Sequence, residues 1–129
     1  MSPVLDASGL DKRFGGVHAV RGVDIAVSAG EILGLFGPNG AGKTTLFSLI
    51  AGTLRPDAGA ILLDGEDVTA LPAWRRARLG VGRTFQVTRP FRDLTALENV
   101  MVGVPRIGAK QRHDLEAARL LLEIGRAHV

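Results

Sequence analysis

Residues Ile32 to Leu54 read ILGLFGPNGAGKTTLFSLIAGTL, with Gly37, four residues, and then Gly42, Lys43 and Thr44 in succession. This is the spacing of a loop that cradles phosphate oxygens. Successive backbone N–H groups must point inward to hold an anion, and glycines permit that backbone shape. A helix beginning at the same point adds the positive end of its dipole. Lys43 can reach the outer phosphates of a nucleotide, and the Thr44 hydroxyl suits a Mg²⁺ ion. The candidate phosphate-binding set is Gly37, Asn39, Gly40, Ala41, Gly42, Lys43, Thr44 and Thr45. A glycine-rich turn followed by an ordinary lysine is the competing reading, and the strand-like and helix-like flanks favour the phosphate loop.

Those flanks are legible from local pattern. EILGLFG is a short, almost continuous apolar run, as expected of a strand buried on both faces of a sheet. A helix is predicted from near Lys43 to about Ala51, closed by Gly52. Upstream, VLDASGLDKRF and HAVRGVDIAVSAGE each predict a β-stretch, and DAGAILLDGEDV predicts a strand between turns, the second at Asp64–Gly65. LPAWRRARLG predicts a short helix with Pro72 in its first turn and Gly80 at its end, and Trp74 is expected to anchor it to the sheet. VGRTFQ predicts another strand. From Thr95 the spacing becomes helical in TALENVMVGV and KQRHDLEAARLLLEI, where Leu115, Ala118, Leu121 and Leu122 share one face. The fold class is therefore α/β. Residues 1–92 form a sheet-rich nucleotide core, and residues 93–122 open a helical segment.

Composition narrows the classes further. With 129 residues and 46% apolar content the chain can build one ordinary core. It has no cysteine, so disulfides and thiolate metal sites are excluded, which fits a reducing compartment. After the loop the longest uncharged apolar stretch, Thr44 to Leu54, falls far short of the roughly 20 residues of a membrane span. The opening MSPVLDASGLDKRF lacks the pattern of a signal peptide, so a cytosolic chain is expected. Residues 1–70 carry 5 Lys/Arg against 8 Asp/Glu, whereas residues 71–129 carry 11 against 5. That basic second half is compatible with nucleic acid, anionic lipid, an acidic partner, or simply with solvated helix faces. His18, His113 and His128 have no metal-ligand spacing, and Asp64 and Glu66 are turn residues without a catalytic context.

The phosphate loop is shared by many nucleotide-binding families, and its surroundings discriminate among them. FGPNGAGKTTLFSLIAGTLRPDAGAILLDGEDVTAL, followed by RTFQ and RPFRDLTALENVMVG, resembles the ATP-binding subunits of ABC transporters over nearly all of residues 4–122. RFGG-x-x-AV, at Arg13 to Val20, is similar to the branched-chain amino acid uptake type within that family. The resemblance implies a P-loop NTPase core with an antiparallel β portion, a loop strand–helix unit and the start of a helical subdomain. It implies ATP and Mg²⁺ as ligands and ATP-driven import of branched-chain amino acids or a related small solute. By position, Phe14 matches the aromatic that stacks on adenine, with a plain core phenylalanine as its alternative. Gln86 matches the glutamine that reaches Mg²⁺ and the attacking water. Residues 87–100 match the region beneath the coupling helix of transmembrane permease subunits, where Pro90, Phe91, Leu94 and Leu97 either present an apolar patch or pack inward.

The resemblance also implies a second ATP-binding subunit in a head-to-tail dimer, an extracellular or periplasmic solute-binding protein acting indirectly, and a peripheral place on the cytoplasmic face of the inner membrane. No nucleic acid is expected. Three family features are not found in this sequence: a glutamate after an apolar strand ending in aspartate, a downstream histidine, and a Ser-Gly-Gly-Gln-like signature. The 129 residues alone are therefore expected not to hydrolyse ATP. The last residues offer a reason. AGATCGGAAGAGCACACGTC, a common sequencing adapter, followed by TGA, translates in one frame as Ile-Gly-Arg-Ala-His-Val-stop, matching Ile124 to Val129. Residues 123–129 are accordingly read as non-native adapter read-through, with a natural helix end capped by Gly125 as the alternative. Two other classes remain: a soluble ABC ATPase acting on nucleic acid or ribosomes, and a GTPase-like switch, for which no Asn-Lys-x-Asp motif is found.

Overall fold

The computed structural model describes residues 2–38, 40, 42–85 and 89–102. The chain divides into two compact units, Met1–Arg83 and Thr84–Val129. The first contains β1 (Leu5–Phe14), β2 (Val17–Val27), α1 (Lys43–Ala51), β3 (Ala58–Leu63), β4 (Glu66–Asp67) and α2 (Ala73–Arg78). The second contains α3 (Ala96–Val102).

The strands form one antiparallel sheet in the order β2-β1-β3-β4. A turn at Gly15–Gly16 joins β1 to β2 and pairs Phe14 with Val17. Asp64 (φ 48°) and Gly65 (φ 82°) join β3 to β4, a two-residue hairpin turn with both central residues at positive φ. The expected strands upstream of the loop and at residues 58–63 are thus present. Where β1 meets β3 the register shifts between Ser8 and Asp11. There Gly59 (φ 94°) lies so close to Gly9 that a Cβ would sit 2.5 Å from the Gly9 carbonyl oxygen.

One face of this sheet carries the core. Ala7, Leu10, Val20, Ile61 and Val68 are buried with Leu46 and Leu49 of α1. Each fully buried Leu or Ile contributes roughly 1.5–3 kcal/mol of transfer free energy. α1 ends where the sequence predicts, at Gly52, whose φ of 86° is the left-handed conformation that closes many helices. Its N–H donates to the carbonyls of Ser48 and Leu49.

The Ile50 carbonyl finds its donor, and the Leu49 carbonyl a second one, in a residue that local sequence does not reveal. Arg76 of α2 is 1% exposed. Its Nη1 donates to the Leu49 (2.6 Å) and Ile50 (2.9 Å) carbonyls, Nη2 to Thr69 (2.9 Å), and Nε to Leu71 (3.0 Å). Burial pulls its pKa down, with the charge of Asp67 opposing. α1 has no basic residue in its own last turn, so this guanidinium supplies the cation that the helix dipole favours there. Gly52 is locked in twice, because a Cβ there would lie 2.9 Å from Arg76 Nε and 3.1 Å from the Ala73 Cα.

Three expectations are corrected. Trp74 does not anchor α2 to the sheet: it is 56% exposed, and Arg76 is the buried residue instead. Two positions along a helix turn the side chain by about 200°, so a short helix that buries Arg76 turns Trp74 outward. Glu31 to Phe36 do not form the expected central strand; residues 31–38 belong to no strand, and Ile32 and Phe36 are 97% and 95% exposed. A strand buried on both faces needs neighbours and cover, and among the described residues none pairs with it. Residues 81–85 likewise form no strand, and Gln86, the last residue of VGRTFQ, lies outside the described residues.

In the second unit α3 begins with a capping box. The Thr95 N–H donates to Glu98 Oε2 (2.7 Å), and the Glu98 N–H donates to Thr95 Oγ1 (3.2 Å). The Thr95 N–H and the Thr95 hydroxyl (2.8 Å), both donating to Glu98 Oε2, hold the Glu98 carboxyl below its ordinary pKa. The predicted helix over residues 110–124 and the adapter-like residues 123–129 lie outside the described residues.

Replacing Arg76 with Met keeps the aliphatic stem and removes every donor. We expect a loss of about 3 kcal/mol in urea denaturation, since four carbonyls, one buried and three half-buried, each lose a donor at about 1–3 kcal/mol where water cannot replace it. A loss under about 1 kcal/mol would show that water satisfies those carbonyls.

Candidate functional site

The loop and the first turn of α1 bring Gly37, Pro38, Gly40, Gly42, Lys43, Thr44 and Thr45 into one short stretch of backbone. Gly40 (φ 85°) and Gly42 (φ 92°) both adopt the left-handed conformation. Gly42 also sits against β2 so tightly that a Cβ would lie 2.2 Å from the Ala19 carbonyl oxygen. Glycine is therefore required at 42 by both conformation and space. No side chain caps α1 at its N-terminus. The first N–H groups of a helix have no intrahelical acceptor, so an anion is the natural partner at that end.

Lys43 Nζ donates to the Gly37 carbonyl and to the Pro38 carbonyl (2.8 Å), which folds its ammonium back over the loop. Thr44 is exposed at the first turn, where its hydroxyl is available to a cation. A cleft of about 430 Å³ opens between the loop and β2, lined by His18, Arg21, Phe36, Gly40, Gly42 and Lys43 among others. Its polar side is cationic or potentially so, as a polyphosphate site requires. The residues present thus fit a phosphate group: glycines at positive φ, an uncapped helix start and a lysine at the mouth.

Phe14, at the end of β1, is 46% exposed and is not among the residues lining that cleft. Lys12 Nζ lies 5.5 Å from its ring centroid and pairs with Asp57 Oδ1 at 3.2 Å. Asp57 also accepts from the Arg13 N–H (2.7 Å), and these two contacts hold its carboxyl below the ordinary aspartate range. A base stacking on Phe14 would meet a ring already sharing one face with a cation.

Asn39, Ala41 and Gln86 lie outside the described residues, as do Val87 and Thr88 of the 87–100 segment. In the second unit Pro90 is exposed, Phe91 is 57% and Leu94 38% exposed, and Leu97 is half-buried. Asn99 organises this stretch. Its Oδ1 accepts from the Phe91 N–H (2.8 Å), and its Nδ2 donates to the carbonyls of Phe91, Leu94 and Thr95.

Sequence reasoning passed over His18. Its Nε2 lies 2.8 Å from Asp11 Oδ2, and the ring lines the cleft beside Lys43. The β1–β2 pairing of Arg13 with His18 brings it there, and no local spacing announces that pairing.

A family model described as ABC transporter matches residues 20–128. The chain belongs to the ABC transporter family, and its fold is the N-terminal portion of an ATP-binding cassette, a P-loop NTPase with an antiparallel sheet. It is 48% identical over 104 residues to the high-affinity branched-chain amino acid transport ATP-binding protein BraF of Pseudomonas aeruginosa, covering 81% of this chain and 41% of BraF. It is 46% identical over 101 residues to the lipopolysaccharide export system ATP-binding protein LptB of Acidithiobacillus ferridurans, covering 78% and 42%. Among solved structures, the ADP conformation of MJ1267, an ATP-binding cassette of an ABC transporter, superposes with a TM-score of 0.71 at 32% identity, covering 91% of this chain and 46% of that one. The chain thus spans less than half the length of each of these three proteins. No helix among the described residues is long and apolar enough to cross a membrane.

If Phe14 contacts the base, Phe14→Ala weakens ATP binding by about 1–3 kcal/mol, the range for base–aromatic stacking. A change that instead lowers the melting temperature of the nucleotide-free protein, with affinity intact, would assign Phe14 to packing alone.

Proposed function

We propose that this chain binds Mg·ATP through the loop at residues 37–45 and that the whole protein uses ATP hydrolysis to energise import of branched-chain amino acids or a related small solute. The observation that carries the reading is the uncapped start of α1, with Gly40 and Gly42 at positive φ and Lys43 folded over the loop. In this reading the backbone N–H groups around Gly40 to Thr45 hold the outer phosphates. Lys43 exchanges its carbonyl contacts for phosphate oxygens, and that swap is favourable because the acceptor then carries a charge opposite to the ammonium. Thr44 and Gln86 hold Mg²⁺, which spreads the developing charge when bound. Gln86 also positions water, and Phe14 stacks on adenine.

The likeness to BraF supports the import reading and the amino-acid cargo. LptB, at nearly the same identity, belongs to a lipopolysaccharide export system. Cargo choice therefore resides in other subunits, and the part matched here serves energy coupling. In the whole protein a second ATP-binding subunit closes head-to-tail on this one beneath permease subunits, at the cytoplasmic face of the membrane, and a solute-binding protein delivers cargo. Exposed Pro90, Phe91 and Leu94, with their turn held by Asn99, suit the permease contact. Residues 1–92 serve as the nucleotide core and residues 93–122 as the start of the helical subdomain.

Residues 1–129 by themselves are loosely folded, bind ATP weakly at best and do not turn it over, because the sequence holds no glutamate placed to activate water. In the whole protein Lys43→Ala, which removes the loop's single cationic side chain, abolishes tight Mg·ATP binding by calorimetry. Unchanged affinity overturns the assignment of Lys43. Steady phosphate release by residues 1–129 that Lys43→Ala eliminates overturns the claim of inactivity.

A further inference from the structure

α2 divides its arginines into two kinds. Arg76 is buried and spent on four carbonyls. Arg75 and Arg78 flank the exposed Trp74, each with its guanidinium carbon 5.2 Å from the indole ring. Among the described residues neither meets a carboxylate within salt-bridge distance. Asp67, the acidic side chain whose charge acts on α2 at Arg76, is hydrogen-bonded to Thr69. Leu79 adds 45% of its surface at the end of the same helix. A groove of about 250 Å³ adjoins the start of α2, lined by Arg55, Leu71, Pro72 and Arg76 among others.

The arrangement is a rigid one. Two guanidiniums held beside one ring lose less freedom on binding than free arginines do, and their planar forks match carboxylates. Trp and Arg are also the residue types that dominate protein interfaces. The magnitudes disfavour other anionic surfaces. Each basic residue near an anionic leaflet gains roughly fivefold in binding, and two such residues do not hold a protein on lipid. Nucleic acid binders typically neutralise about 6–10 phosphates, and this face offers Arg75, Arg78 and the neighbouring Arg55.

We propose that the Trp74–Arg75–Arg78 face of α2, together with the groove beside Arg55, docks an acidic segment of a partner protein. Carboxylates of that segment pair with the two guanidiniums, and an apolar side chain covers the indole. This surface is separate from the nucleotide loop, and the proposal stands whether or not the loop binds ATP.

Trp74 is the single tryptophan of the chain, so its fluorescence reports on this face alone. The probe is acetyl-Gly-Glu-Leu-Glu-Glu-Leu-Gly-amide, titrated beside the same peptide with Gln in place of every Glu. The acidic peptide should shift Trp74 emission saturably in the micromolar range, and the Gln peptide should not. Arg75→Ala with Arg78→Ala should raise the apparent Kd about tenfold or more, as expected of interface anchors. The charge-matched pair Lys12→Ala with Arg13→Ala, on β1 and outside the proposed face, should change it less than about threefold, because a surface charge that makes no contact acts only through screened attraction. Circular dichroism checks that both double variants stay folded, and the Glu against Gln comparison on the unaltered chain stands without them. Equal binding of the two peptides, or equal losses in the two double variants, overturns the proposal. So does a shift produced by vesicles of phosphatidylglycerol in phosphatidylcholine and absent with the acidic peptide.

Discussion

The bond set from Arg76 to the end of α1 is the constraint on which the first unit depends. Helix α1 packs Leu46 and Leu49 onto the sheet, and those contacts fix its distance but not its direction. The guanidinium fixes the rest, because it ties the Leu49 and Ile50 carbonyls to the Thr69–Leu71 turn after β4. With its C-terminal carbonyls satisfied and opposed by a cation, α1 leaves its unsatisfied groups at the other end, where no side chain caps it. Structural satisfaction at one end and availability at the other are two consequences of one arrangement.

Gly42 links that helix to β2. Its lack of a side chain lets the loop approach the Ala19 carbonyl, beside the cleft that His18 and Lys43 line. The apolar segment before the loop is the opposite case. Ile32 and Phe36 stand almost wholly in solvent, with no strand among the described residues beside them. An unpaired apolar strand is a recognised aggregation hazard. The chain spans less than half the length of BraF and LptB.

What was legible in the sequence follows from how local each signal is. The bounds of α1, its Gly52 cap and the Asp64–Gly65 turn depend on a few adjacent residues, and each stands where local rules place it. The strands β1, β2 and β3 also follow from pattern and turns, and their antiparallel arrangement is what the family resemblance implies. Arg76 was not legible, because RRAR presents three equivalent arginines and only the docking of α2 onto α1 selects one for burial. Trp74 was misread for the same reason, since an indole in a short helix suggests an anchor until another residue takes the inward face. The strand at Glu31 to Phe36 failed differently: its pattern describes the sheet it needs, which no described residue supplies. At the candidate site the loop residues were legible from spacing. The pairing that brings His18 to the cleft was not, because it depends on the register of two strands.

Amide hydrogen exchange measured residue by residue, with and without saturating Mg·ATP, tests the central claim most directly: that the free N–H groups at the start of α1 hold the phosphates. The account predicts strong slowing at Gly40 to Thr45, little change at Leu49 to Gly52, where the carbonyl end is already clamped by Arg76, and loss of the effect in Lys43→Ala. Saturable nucleotide binding that leaves the amides of Gly40 to Thr45 exchanging at their unliganded rates would contradict it.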